Sequence, residues 1–556
     1  MLSKKSVSKW IVSALFVQAP LVRADVFEKS GYRLDSEVLC DGLPQIQVGT
    51  KEGMCVGLLA GKQDGLKMPR YAVQSREGVI YVTEMGGWAY RKGTVFAVYQ
   101  SKDAQGFEKT VMVNLFPTKK LTMPNGIVMD PEGRLYVGTP TGVIRFAPRD
   151  TKTGQFQIDK DVEVVVDDFA KSIFRKDEYS NASAYNTMAT KFKNKHPLVQ
   201  IATNQDFTEM YLNIGAPSDE CNSGIKTTDE NGKCIQAESP LASAAVWKVK
   251  LSADKERKAF SVAPFARGLR NSMALVVHPQ SGTVIQGENG LDLPSEDIPY
   301  EELNVLVEGK HYGWPYCHSR GEVAPAFQAV VKPEACAKDY ALPKVFMPAH
   351  TAPLGLLYAQ SLKLPMLHNK LLVGWHGYQK YGHRVVAYPV DVQGVPTSNE
   401  YEEIVFSWKA QEGVRPRGAP TGLTALNDGS ILILDDKNGA LLRLSNGQKA
   451  ELASDEKVMG GFSEKTLKAF APLVPFVKKN CTMCHAQFQK ETGQEILGEM
   501  RGTMLNLSSP MESTFWLKLK SRQMPPEAMR SALGFHESDY EKTLPIVEAF
   551  IKSLNP

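Results

Sequence analysis

Cys481, Cys484 and His485 form a C-x-x-C-H motif, the attachment pattern of a c-type haem. At this spacing two thiols can form thioethers with the two haem vinyl groups, and the adjacent imidazole can ligate the iron from one face. The motif predicts a covalent haem c, a redox role and assembly outside the cytosol. Zinc would need a second C-x-x-C or an H-x-x-x-H, and neither follows in the chain. On the other face of the iron, a thioether would raise the potential and suit an electron acceptor. Met524, in Gln523-Met524-Pro525-Pro526, is the candidate, because its prolines would hold it in an extended loop. Met504, Met511 and Met529 are the competing sulfurs, and methionine commonly serves as core filler.

A haem needs a helical frame. Residues 463–479 predict an amphipathic helix whose apolar side is Leu467, Phe470, Leu473, Val474, Phe476 and Val477, with Pro472 and Pro475 placed to kink or split it. Residues 539–554 predict a second helix, with Leu544, Val547, Phe550, Ile551 and Leu554 at helical spacing. A helix before the motif and another at the chain end resemble a small class I cytochrome c, whose axial methionine commonly stands in a Met-Pro loop. Residues 463–556 are therefore expected to be an all-α cytochrome c domain, behind a polar linker over 445–462.

The rest of the chain must supply the electrons. From about residue 40 to residue 447 one pattern recurs: an apolar stretch, a turn of the D-G, E-G or N-G kind, a Tyr- or Leu-bearing strand, then a strand entered through Gly. Copies begin near Met68, Pro124, His196, Arg270, Pro353 and Pro420, the last containing Asn427-Asp428-Gly429 before Ile431-Leu432-Ile433-Leu434. Six strand-and-turn units predict an all-β six-bladed propeller over 25–444, each blade burying its faces against its neighbours. A pair of β-sandwiches is the alternative. Inserts over 150–195 and 216–243 would be loops on the propeller faces.

Composition sets the compartment. At 556 residues, with 43% apolar and 23% charged, the chain is long enough for two folded domains. Lys4, Lys5, Lys9 and Arg23 flank an apolar run from Trp10 to Val17, and small residues precede Asp25, so 1–24 reads as a signal peptide. An uncleaved anchor is the alternative, for a run too short to span comfortably. The net charge of +4 falls to neutrality without these residues, which gives no reason to expect a nucleic-acid or membrane-surface partner. The mature chain is expected to have no transmembrane segment. Six further cysteines fall into close pairs, Cys40 with Cys55, Cys221 with Cys234 and Cys317 with Cys336, and local disulfides are the simplest pairing. A periplasmic location follows.

Within the propeller, Arg270 offers a bidentate anion grip and Asn271 a neutral donor and acceptor. The acid-rich loop over 288–302 could hold Ca²⁺ through carboxylate and carbonyl oxygens, without the spacing of an EF-hand. Leu269-Arg270-Asn271, Glu302-Leu303-Asn304 running to Tyr312-Gly313-Trp314-Pro315, His350-Thr351-Ala352-Pro353 and Trp375-His376-Gly377 together resemble the sorbosone dehydrogenase family. That family is related to soluble glucose and aldose sugar dehydrogenases that use pyrroloquinoline quinone (PQQ). The resemblance implies a six-bladed propeller binding PQQ and Ca²⁺ on one face, in some members with a fused cytochrome c.

Carried over residue by residue, the resemblance implies His196 as catalytic base. It stands nine residues before Gln205-Asp206, where the family has a Pro-Asp-Gly turn that this chain lacks. A histidine can take the proton of a substrate hydroxyl near neutral pH. Arg270 and Asn271 match the quinone-contacting pair, Asn289 the next pocket position, and Gly290 and Leu291 the residues whose carbonyls hold Ca²⁺. Arg415 and Arg417 lie near the family's late arginines. The glucose enzyme's lysine has no clean counterpart, with Lys380 a weak candidate and His376 a substitute.

The reading that follows is a periplasmic dehydrogenase. It would oxidise a sugar, aldehyde or alcohol through PQQ, pass electrons to its own haem, and then to an external acceptor such as a soluble cytochrome or a respiratory-chain component. A non-catalytic propeller that carries an electron-transfer cytochrome is the alternative, and a propeller with another cofactor is a third.

Overall fold

The computed structural model describes residues 26–29, 31–89, 91–102, 108–118, 120–140, 142–150, 156–158, 162–166, 195–221, 228–240, 242–359, 363–408, 418–446, 464–482, 485, 488–490, 492–501, 504–505 and 510–554. Residues 1–24, Arg415, Arg417 and Cys484 lie outside these, as does most of the 445–462 segment. The chain divides into two compact units, Met1–Gln448 and Lys449–Pro556.

In the first unit antiparallel hairpins, three of them closed by Glu77-Gly78, Glu132-Gly133 and Asp428-Gly429, build six blade sheets beside two two-stranded ones. Their innermost strands are Pro69–Gln74, Ile127–Met129, Ile201–Thr203, Ala274–Val277, Pro353–Ala359 and Pro420–Ala425, which define blades one to six. Each inner strand lies against that of the next blade, and the sixth lies against the first. This is a six-bladed propeller, in which every blade junction buries its own apolar cluster. Leu59, Leu432, Ala72 and Val82 join blade six to blade one, for example, and Ile285, Leu303, Leu371 and Val373 join four to five. The near-continuous apolar strands of the sequence follow from this two-sided burial.

Closure of the ring was not visible in the repeat. Blade six takes its fourth strand from the N-terminal region: Cys55–Ala60, buried throughout, pairs with Ala440–Ser445. Leu43–Ile46, Tyr32–Cys40 and Val26–Lys29 extend that sheet to seven strands, and Gly49–Thr50 adds a fifth to blade five. The 150–195 insert is in part a blade element, since Glu163–Val166 is the outer strand of blade two. All three expected disulfides form.

Strand register decides which residues share a face. The first residues of an inner strand pair with the last residues of the second strand: Ala274 with Gly287, Pro353 with Trp375, Pro420 with Asp435, Pro69 with Glu84. Whatever precedes an inner strand and whatever follows a second strand therefore meet on one face. His196, Arg270, Asn271, Asn289, Gly290, Leu291, His350 and His376 all occupy such positions.

The second unit is a small helical domain. The helix expected over 463–479 is divided into Glu464–Phe470 and Val474–Asn480, joined by a single 3₁₀ turn at Ala471–Leu473. Pro472 and Pro475 bring no N–H to a continuous ladder, which accounts for the division. The final helix runs Glu537–Ser553 and starts earlier than expected, because Asp539 accepts the His536 N–H at 2.7 Å and caps it. Phe470, Val477, Ile496, Leu497, Trp516, Val547, Phe550 and Ile551 form its core. No helix among the described residues is long and apolar enough to cross a membrane.

Candidate functional site

At the entry to blade four the chain turns on Gly268, at φ +68°, where an added Cβ would lie 2.2 Å from the His311 ring. Only glycine permits this close approach. Trp314 donates its N–H to Gly268 O (3.0 Å) and its indole N–H to Asp219 O (2.9 Å). The Tyr-Gly-Trp-Pro run thus ties the blade-four entry to the 216–243 insert, which the Cys221–Cys234 disulfide also anchors.

Asp219 is thereby set beside Arg270, a side chain only 4% exposed. The Arg270 Nε donates to Asp219 Oδ1 at 2.6 Å, its NH1 to Asn289 O at 3.0 Å and its NH2 to Asp292 Oδ2 at 3.0 Å. Arg270 is also joined to His196: the His196 Nδ1 lies 2.5 Å from Ala216 O, and Ala216 N–H donates to Arg270 O at 2.7 Å. A carbonyl only accepts, so Nδ1 carries the proton and the neutral ring keeps its lone pair on Nε2. Burial and the neighbouring Arg270 charge push the His196 pKa down to about 3.

Asn271 and Asn289 complete this group. Asn271 N–H donates to Glu288 Oε1 at 2.9 Å, and Asn289 Nδ2 donates to Asn271 O at 3.1 Å. The Asn271 Oδ1, the Asn289 Oδ1 and the nearby Thr351 Oγ1 are buried without a hydrogen-bond partner among the described residues. Buried polar atoms are normally paired, and three orphans at one junction mark a place that a further group completes. Toward PQQ, an amide oxygen could accept only the pyrrole N–H, whereas the Thr351 hydroxyl could donate to a carboxylate or carbonyl of the cofactor.

The acid-rich loop differs from expectation. Glu288, Glu301 and Glu302 turn inward, all under 9% exposed, so they do not form a chelating surface. Glu301 accepts the Gly290 N–H at 2.5 Å, Glu302 accepts the Ser319 N–H at 3.0 Å, and Gln286 donates to Glu288 at 2.6 Å. Burial pushes the Glu288 and Glu301 pKa values up to about 7, and burial with the two neighbouring acids raises Glu302 further. Among the described residues no three His, Cys, Asp or Glu side chains group as a metal cluster. What remains suited to Ca²⁺ is the hard carbonyl oxygens of Gly290 and Leu291, backed by these acids.

Sequence reasoning missed a second polar group on the same face. Arg70, entering blade one, donates through NH1 to Asp436 Oδ2 at 2.5 Å and through Nε to Asn125 at 3.1 Å. The other oxygen of Asp436 lies 2.9 Å from His376 Nε2. Charges beside apolar strand residues, in Pro69-Arg70-Tyr71 and Leu434-Asp435-Asp436, were the available signal. Lys380 stands apart from Arg270, in a cleft of about 270 Å³ lined by Glu296, Asp297, Ala349, Gln379, Lys380 and Tyr381.

In the helical unit, His485 N–H caps onto Cys481 O at 2.8 Å, and its ring lies 5.4 Å from that of Phe488. Cys481 and Met524 are half-buried at the edge of the same apolar core. Of the competing sulfurs, Met504 is core and Met511 is 41% exposed.

These features define a class, the six-bladed β-propeller. Residues 170–398 match the family described as Glucose / Sorbosone dehydrogenase. Among solved structures, the chain is similar to the calcium structure of a Trichoderma reesei Carbohydrate-Active Enzymes Family AA12 protein, at 18% identity and TM-score 0.55, covering 72% of this chain and 97% of that one. It is also similar to the holo form of the pyranose dehydrogenase PQQ domain from Coprinopsis cinerea, at 17% identity and TM-score 0.52, covering 73% and 99%. At these identities the likeness is one of fold. An uncharacterized protein of Borreliella burgdorferi is 23% identical over 352 residues, covering 60% of this chain and 88% of that protein.

Proposed function

We propose that this protein is a periplasmic PQQ-dependent dehydrogenase that oxidises a sugar, aldehyde or alcohol and passes the electrons to a haem c on its C-terminal unit. The observation that carries the reading is the set of unpaired buried atoms Asn271 Oδ1, Asn289 Oδ1 and Thr351 Oγ1, on loops of which the Asn289 carbonyl accepts from Arg270. The family match over 170–398 supports the oxidoreductase class.

When bound, PQQ supplies a two-electron carbonyl acceptor, and Ca²⁺ on the Gly290 and Leu291 carbonyls polarises it. Arg270 grips an anionic group of the cofactor, exchanging Asp292, which is 79% exposed and easily displaced. One of the open oxygens of Asn271 and Asn289 would accept the cofactor's pyrrole N–H. Arg415 and Arg417 are proposed as further anion contacts. His196 takes the proton of the substrate hydroxyl on Nε2. Cys481 and Cys484 hold the haem, with His485 and Met524 as axial ligands, and the fused domain raises the effective concentration of acceptor.

The test is reconstitution. Purified protein given PQQ and Ca²⁺ reduces its own haem when an aldose, aldehyde or alcohol of a broad panel is added. No reduction with any member favours a non-catalytic propeller that delivers a cytochrome.

A further inference from the structure

Oxidation of a carbinol to a carbonyl releases two electrons and two protons. One proton leaves the hydroxyl directly, and the other arrives with the hydride. A one-electron acceptor such as a ferric haem takes electrons only, so the second proton must leave the site when the cofactor is reoxidised. On the reading above, His196 serves the first proton. We propose that His376, fixed by Asp436, accepts the second and passes it to solvent.

His376 follows the second strand of blade five, Lys370–Trp375. Its backbone N–H donates to Ala352 O at 3.1 Å, and the Gly377 N–H to Thr351 O at 2.9 Å. At Gly377 an added Cβ would lie 1.9 Å from His350 O, so the glycine sets how closely these two loops approach. The same 351–353 segment reaches the cofactor group, since Pro353 O lies 3.5 Å from Asn289 Nδ2 and Thr351 carries one of the orphaned oxygens. One short loop thus connects His376 with the residues proposed to hold PQQ.

The ring is held in a defined tautomer. Burial would raise the Asp436 carboxyl, but His376 and Arg70 outweigh it and hold it below the usual carboxylate range. An ionised carboxylate only accepts, so the His376 Nε2 carries a proton toward Asp436, and Nδ1 is the nitrogen that Asp436 does not engage. This is the reverse of His196, whose Nδ1 is committed to Ala216 O. Protonation of His196 is opposed by Arg270, whereas an imidazolium at His376 sits against the Asp436 carboxylate. Arg70 and Lys437 lie beyond Asp436 from blades one and six, and Tyr378 stands on the same loop with its ring 5.3 Å away. The His376 side chain is 12% exposed, which gives a proton held there a route outward.

The experiment uses the full chain loaded with haem, PQQ and Ca²⁺, with ferricyanide as the one-electron probe. The two half-reactions are followed separately by stopped flow. In His376→Gln, substrate-driven reduction of the cofactor stays within about threefold of wild type, while reoxidation slows by roughly tenfold or more and loses its pH dependence. Asp436→Asn moves reoxidation the same way. An independent readout needs no cofactor: the ¹⁵N spectrum of His376 shows a proton on Nε2. A bare Nε2, or reoxidation untouched in His376→Gln, overturns the proposal. Weakened PQQ binding with normal reoxidation at saturation overturns it too, by making His376 a cofactor grip. A wild type with no PQQ-dependent turnover fails at the earlier step instead, and the proposed role falls with it even where the ¹⁵N spectrum shows the tautomer.

Discussion

Arg270 and Glu301 hold opposite ends of one peptide unit. Arg270 NH1 donates to the Asn289 carbonyl, and Glu301 accepts the following Gly290 N–H. In a trans peptide those two groups point in opposite directions, so the pair fixes the plane of the loop that presents the Gly290 and Leu291 carbonyls. Arg270→Ala should remove PQQ binding and lower stability by about 2 kcal/mol, because Asp219 and Asn289 O lose a buried partner. Arg270→Lys keeps the charge but not the fork, and should recover stability more than affinity. Equilibrium unfolding beside fluorescence titration with PQQ separates the two effects.

The buried acids give a pH signature. Glu288 and Glu301 titrate near 7 in the folded chain, against an ordinary carboxylate value of 4.5. Between those values the folded protein holds protons that the unfolded chain has lost, so their contribution to stability declines as pH rises through that window. Thermal melts of calcium-stripped protein from pH 5 to 8 should show it, and Glu288→Gln should flatten the slope.

His196 works in the other direction. Its pKa of about 3 lies below the ordinary 6.5, so its contribution is complete above 6.5 and lost as pH falls toward 3. His196→Asn should leave Ca²⁺ and PQQ binding in place while turnover falls by roughly 10²–10⁴-fold. Full turnover in that variant would remove His196 as the base.

Met524 is the proposed second axial ligand, and its backbone carbonyl accepts the Tyr540 hydroxyl at 3.0 Å. Met524→Leu should abolish the sulfur–iron charge-transfer band of the oxidised haem. Met504→Leu, a change in the apolar core, should leave the band intact.

Gly377→Ala tests the loop contact alone. A Cβ 1.9 Å from His350 O forces the backbones apart and should destabilise the propeller by ~3 kcal/mol in chemical denaturation.

The blade starts were readable because each is local: a D-G or E-G turn and its flanking strands lie within about twenty residues. Arg270 and Asn271 stood out by resemblance, and their partner Asn289 lies close along the chain. The Arg70–Asp436 pair spans 366 residues and joins blades one and six, so nothing local announces it. Asp219 was hidden for a related reason, in an insert that long-range contacts such as the Trp314 indole bond bring to the site. The inward turn of Glu288, Glu301 and Glu302 was not legible, because it depends on backbone donors at Asn271, Gly290 and Ser319 that only the fold brings to them.

The strand Cys55–Ala60 is made before any of the six inner strands, yet it belongs to the last blade. Its partner Ala440–Ser445 is made some 380 residues later, so an apolar edge waits until the sixth blade exists. Cys40 and Cys55 are close enough in sequence to join before then, tethering the waiting strand to its own hairpin. Any chain cut short before blade six would carry that edge exposed, as a template for other strands. The seam that shuts the ring therefore also acts as a check on completeness, because only a finished chain can hide it.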